Sequence, residues 1–171
     1  MKDDILEAAL QAYTTKPAQN VTVDEIAKLA GVSKGVIFYY FKNKDNLERE
    51  TLIYSIKKYL GEGINSIADF IDVSLKIIAE TPSLVRFWQY VYEKEVYSRD
   101  PSFVQNSFKE IINEVAFLLK SEGVKNPEKT AIILMAMLDG LAIYSTFLDL
   151  GRVEDFESII SEFIDCRRVR R

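Results

Sequence analysis

Apolar residues recur along this chain at intervals of three and four, and almost nowhere in simple alternation. That rhythm predicts helices, and the residues that interrupt it say where each one starts and stops. The clearest punctuation lies between Thr22 and Asn46, in TVDEIAKLAGVSKGVIFYYFKNKDN. Thr22 with Glu25 three positions on forms a capping box that opens one short helix, and Gly31 supplies the left-handed residue that ends it. Ser33 caps a second helix almost at once, so the two axes cross sharply instead of running back as a hairpin. Ile26, Ala27 and Ala30 then face Ile37 and Phe41 across the corner. A fourth helix is expected from Lys44 to Leu60, ending near Gly61 and Gly63, and a fifth from Ile64 to Glu80. Thr81-Pro82, Asp100-Pro101 and Asn126-Pro127 each read as a cap followed by proline in the first turn, opening the sixth, seventh and eighth. Gly123 and Gly151 close the last two of these, and a ninth runs from Glu154 to Arg168. No repeat, low-complexity segment or strand competes with this pattern. The fold class is therefore all-α, with about nine helices and connections too short for a separate linker.

Two sharply crossed short helices of this kind are a helix-turn-helix. At about 100° per residue, Gly35 and Tyr39 fall nearly opposite the buried Ile37, with Val36, Phe38 and Tyr40 on the flanks. A solvent-facing surface of aromatics and glycine calls for a partner. A DNA major groove suits it: glycine lets the backbone approach closely, tyrosine hydroxyls reach phosphates, and Val36 can pack on a thymine methyl. Lys34 in the first turn can donate to guanine or phosphate. Lys44 opens the next helix with Asn43 as its cap, where a positive charge and free amide groups suit a phosphate. The alternative for FYYF is plain helical core, the expected fate of Phe41.

The segment AGVSKGVIFYYFKNKDNL resembles the DNA-binding signature of the TetR family of transcriptional repressors. The likeness runs from Ile5 to Leu52 and includes ILEAALQAY, DEIAKLAGVS and the lysine-initiated helix after YYF. It implies a three-helix DNA-binding head over residues 1–46, followed over residues 47–171 by a helical domain that binds an effector and dimerises. It also implies roles: Thr22 on the DNA backbone, Lys34, Gly35 and Val36 at bases, Tyr39 and Tyr40 at backbone or base edges, and Lys44 at phosphate. Two departures stand out. Phe38 occupies a position where the family usually has tyrosine, which removes one phosphate hydrogen bond. Lys2 is the only early base, so no long basic arm is expected to enter the minor groove.

Composition agrees with such a division. A chain of 171 residues with 48% hydrophobic residues, 7 Gly and 4 Pro can bury a full helical core. The net charge of −4 runs against DNA binding until it is divided. Residues 1–58 hold nine Lys or Arg against eight Asp or Glu, and the remainder thirteen against eighteen. Between Ile26 and Lys44 there are four lysines and no acid, and it is the local field that phosphates meet. One cysteine, Cys166, excludes an intrachain disulfide and reads as an inert, reduced thiol. The opening MKDDILEAAL carries acids where a secretory leader needs bases, so a cytoplasmic location is expected. Asp139 within the apolar run Ala131 to Leu148 argues for a helix buried in protein, with no membrane partner.

The last two helices predict a homodimer. Phe156, Ile159, Ile160, Phe163 and Ile164 make one apolar stripe, and the eighth helix, about 24 residues and roughly 36 Å long, is apolar nearly all round, Leu138 included. Pairing two copies in a four-helix interface covers both, as the resemblance implies, and presents two recognition helices to an inverted-repeat stretch of double-stranded DNA. Between head and dimer helices, Phe87, Trp88, Tyr92, Phe108 and Phe117, with Met137 and Leu141, can line a pocket for a small apolar effector. The same spacing also describes ordinary core, which leaves a DNA-binding dimer without effector as the alternative reading. Arg86 is the nearby cation for an acidic ligand. An enzyme is not indicated: there is no histidine, the single cysteine has no partner, no phosphate-binding glycine loop is present, and nothing calls for a cofactor or metal. Arg167, Arg168, Arg170 and Arg171 form a basic tail, which reads as a disordered solvating end or as residues foreign to the natural chain, in preference to a second DNA contact.

Overall fold

The boundaries of the helices follow local chemistry closely. The computed structural model describes residues 1–61, 63–98 and 100–169. Among these the helices are α1 Lys2–Thr15, α2 Val23–Ala30, α3 Lys34–Phe41, α4 Lys44–Leu60, α5 Ile67–Glu80, α6 Pro82–Val96, α7 Ser102–Ser121, α8 Pro127–Tyr144 and α9 Phe156–Asp165. Single 3-10 turns occupy Ala18–Asn20 and Val153–Asp155, and the described residues contain no strand. The all-α expectation with nine helices holds.

Three helices depart from the expected bounds, each for an identifiable reason. α5 begins at Ile67 and not Ile64, because Ser66 and Asp69 form a reciprocal capping box. Ser66 Oγ accepts from the Asp69 amide at 3.1 Å, while the Asp69 carboxylate accepts from the Ser66 and Asn65 amides. Those amide donors hold the Asp69 carboxyl below its ordinary value. α8 stops at Tyr144 after 18 residues, well short of Gly151. The Ser145 and Thr146 hydroxyls bond back to the carbonyls of Ala142 and Ile143, and the chain unwinds there. α9 is shorter at both ends than Glu154 to Arg168, replaced at its start by the 3-10 turn and at its finish by a docked tail. There Arg167 packs over the Phe163 ring, Arg168 pairs with Glu122 at 2.8 Å, and Lys125 and Val169 exchange backbone bonds with Arg167 and Gly123. The expected disordered end is thus corrected for Arg167 and Arg168, whereas Arg170 and Arg171 lie outside the described residues.

The chain packs as two compact units. The first joins Met1–Lys58 with Ser83–Arg99. Its core takes Ile5, Leu10 and Tyr13 from α1, Ile26 from α2, Ile37 and Phe41 from α3, Leu47 and Leu52 from α4, and Leu84, Phe87 and Val91 from α6, all buried. Each such side chain contributes roughly 1.5–3 kcal/mol by leaving water. Tyr13 and Phe87 stack with ring centroids 4.6 Å apart. Charged pairs tie α6 to α4: the Arg49 guanidinium forks onto the buried Glu95 with both bonds at 2.8 Å, and Lys94 bridges Asp45 and the buried Glu48, each at 2.6 Å. Packing thus carries the unit that holds the head past residue 46 to Lys58 in α4, and takes in α6.

The second unit joins Tyr59–Pro82 with Asp100–Arg171. α5 supplies Ile67, Ile71 and Leu75, α7 Val115 and Leu119, α8 Ala131, Leu134 and Leu138, and α9 Ile160 and Ile164, all buried. No helix among the described residues is long and apolar enough to cross a membrane.

Candidate nucleic-acid interface

α2 and α3 are set at their angle by the residues between them. Thr22 Oγ1 accepts from the Glu25 amide, and the Glu25 carboxylate accepts in turn from the Thr22 amide and hydroxyl. Lys16 at the end of α1 closes the set with an ion pair to Glu25. That lysine first, then the Thr22 amide, pull the Glu25 carboxyl down to about 2. Gly31 sits at φ 66°, and the Val32 amide reaches back to the Ala27 carbonyl, ending α2. Ser33 then accepts from the Val36 amide and starts α3.

Ile37 and Phe41 are buried, which turns the opposite face of α3 outward. Tyr39 is 73% exposed, Phe38 is partly exposed, and Gly35 is open. A Cβ added at Gly35 would meet only Ser33 Oγ, at an ordinary 3.7 Å, so nothing inside the molecule demands a glycine there. Val36 and Tyr40 are half-buried, the Tyr40 ring meeting Tyr39 edge-on at 5.3 Å. Lys42 and Asn43 make the whole connection from α3 to α4. Lys42 adopts φ 70°, ψ −50°, and the Asn43 amide bonds the Phe41 carbonyl at 2.9 Å, the geometry of a γ-turn that is rare for a residue with a side chain. Asn43 caps α4 by accepting from the Asn46 amide at 2.8 Å.

The lysines of this face are not idle. Lys34 pairs with Asp24 at 2.8 Å, both groups exposed, so the positive stretch that begins at Ile26 is partly answered by an acid two residues upstream. Exposed pairs contribute about 0–1 kcal/mol, and a phosphate can take the lysine over. Lys44 is half-buried and lies 3.5 Å from Glu48, whose other partners are Lys94 and the Tyr90 hydroxyl. The reading from sequence missed Asp24, which a count starting two residues earlier includes, and missed the α6 partners of Glu48, which no local pattern announces.

The other expected sites fare differently. Phe87 is stacked on Tyr13, and Trp88 donates its indole N–H to Ser55 at 2.8 Å, both within the first unit. Tyr92 is half-buried there as well, and Arg86 is exposed. In the second unit Phe108, Met137 and Leu141 are half-buried, but Phe117 is 71% exposed, which corrects its place in a closed wall. Of the expected dimer residues, Leu138, Ile160 and Ile164 are sealed inside their own unit and have no surface to offer a second copy. Phe156 and Phe163 are half-buried, and Ile159 is 58% exposed. The outward apolar stripe of α8 instead consists of Ile132, Ile133, Ala136 and Ile143, with the open Gly140 among them. An all-round apolar helix does not disclose which side faces in. Asp139, itself exposed, lies beside that stripe, and partial loss of hydration among the apolar side chains pushes its carboxyl up to about 6.

Residues 5–51 match a family model described as bacterial regulatory proteins, tetR family. Over 69 residues the chain is 39% identical to the uncharacterized HTH-type transcriptional regulator YhgD of Bacillus subtilis, covering 39% of this chain and 36% of that one. It is 36% identical over 63 residues to the HTH-type transcriptional regulator BetI of Serratia proteamaculans, covering 37% and 31%. The matched stretch thus spans about a third of each of these relatives. The fold as a whole is shared more widely. A Saccharomonospora viridis protein solved in complex with choline superimposes over 99% of this chain and 98% of its own with a TM-score of 0.75 at 20% identity. The fatty acid degradation regulator FadR of Bacillus halodurans does so over 95% and 93%, with a TM-score of 0.72 at 16% identity.

Proposed function

We propose that this chain, whose residues 5–51 match the tetR-family model, is a DNA-binding transcriptional regulator of that family that represses as a homodimer on an inverted-repeat operator. A small effector releases it. Residues 1–46 read the DNA, and residues 47–171 bind the effector and dimerise, in the cytoplasm. The outward face of α3 carries this reading: Tyr39 and Gly35 are exposed on a helix whose opposite side is core, with Lys34 at its first turn and a capped α4 start beside it. Tyr39 and Lys34 supply donors to phosphate and base edges, and Gly35 admits the backbone to the groove. Because the local positive field is modest, two heads per site supply the affinity that one lacks.

Dimerisation is supported by the exposed aliphatic stripe of α8 and by Ile159 of α9. An effector is supported by the fold neighbour in complex with choline. The second reading, a dimer without effector, draws on Phe87 and Trp88, which are committed to Tyr13 and Ser55. Selection of double-stranded DNA from a random pool at near-physiological salt tests the main claim. An enriched inverted repeat with half-sites about one helical turn apart is the expected result. A folded dimer that enriches no sequence overturns it.

A further inference from the structure

α6 presents two opposite charges with no ion pair or hydrogen bond among the described residues, Arg86 and Glu93. Seven residues apart, they point within about 20° of one another and are separated by about 10 Å along the helix. Both line a cavity of about 670 Å³ formed with the end of α1 and the 3-10 turn Ala18–Asn20. That volume falls in the range of small-molecule sites, about 300–1,000 Å³. Tyr90, half-buried, lies between the two charges on the same wall. The cavity's other cation, Lys16, is already held by Glu25, so Arg86 is the one left to bind an anion.

We propose that this cavity is a binding site for a dipolar small molecule: a carboxylate against Arg86, an apolar body across Tyr90, and an ammonium against Glu93. The site lies wholly within the first unit, and its ligand binding does not depend on DNA. Calorimetric titration of the full chain with 8-aminooctanoate, octanoate and octylamine tests it. The dipolar probe binds about tenfold or more tightly than either single-ended probe, as expected where each charge finds its own partner. Arg86→Gln removes that advantage and leaves octylamine unaffected, and Glu93→Gln does the reverse; both side chains are exposed, and circular dichroism checks that the fold is kept. Equal affinities for the three probes, affinities that neither variant changes, or no binding at millimolar concentration would overturn the proposal. Because no DNA enters the measurement, failure here leaves the operator reading standing, and failure of operator selection leaves this one.

Discussion

Two helices in this chain turn a glycine and bulky side chains toward solvent, and they do so with opposite chemistry. On α3 the exposed group is aromatic and hydroxylated, Tyr39 beside Gly35, with Lys34 at the rim. On α8 it is aliphatic, Ile132, Ile133 and Ile143 around Gly140, with Asp139 alongside. Neither glycine is required from within: an added Cβ meets only an ordinary contact at Gly35 and open space at Gly140. A helical glycine costs about 0.5–1 kcal/mol relative to alanine, and no contact inside the molecule offsets that cost at either position. The first face has donors for a polyanion, and the second has only shape and apolar area to offer, which suits another protein surface.

The largest effect is expected from charging the aliphatic face. Ile132→Asp places a carboxylate twice in a symmetric interface, and sedimentation should show at least a hundredfold weaker self-association, since like-charge juxtaposition costs several kcal/mol. Unchanged assembly would mean that α8 is not where copies meet. Next, Tyr39→Ala should reduce operator affinity about tenfold, the scale of one or two lost phosphate or base contacts, with thermal stability altered by less than about 0.5 kcal/mol. A large loss of stability would instead return Tyr39 to the core.

The paired glycines allow a finer comparison. Gly35→Ala and Gly140→Ala should each stabilise the isolated chain by about 0.4–1 kcal/mol in denaturant melts, while the first weakens operator binding and the second self-association. A variant that gains stability without losing its partner would show that its glycine serves no close approach. The smallest effect concerns pH. The Asp139 carboxyl, raised to about 6 by lost hydration, holds its proton more tightly in the folded protein than in the unfolded chain. Stability is therefore gained as pH falls through 6 toward the ordinary carboxylate range and forfeited above it. Self-association should tighten a few-fold between pH 7 and pH 5, and Asp139→Asn should flatten the profile, measured by sedimentation across that range.

How much of this the sequence disclosed depends on the distance over which each feature is determined. The Thr22–Glu25 box, Gly31, Ser33 and the Asn43 cap are local, and each was legible because its donor and acceptor lie within four residues. Ser66 and Asp69 form the same kind of box, an equally local signal that fixes the start of α5 at Ile67. What escaped was long-range. Nothing in the spacing of α6 says that Glu95 meets Arg49, that Lys94 meets Glu48, or that Phe87 stacks on Tyr13. Leu138 reads as outward from the sequence for a related reason: when every face of a helix is apolar, the inner one is chosen by neighbours that periodicity does not name.

The turn at Lys42 has a mechanical meaning. A two-residue joint closed by its own hydrogen bond and held at a sparsely populated backbone angle has no slack torsion to absorb a rotation. The reading face and the start of α4 are thus held together by two residues and one hydrogen bond, the shortest connection between helices in the head.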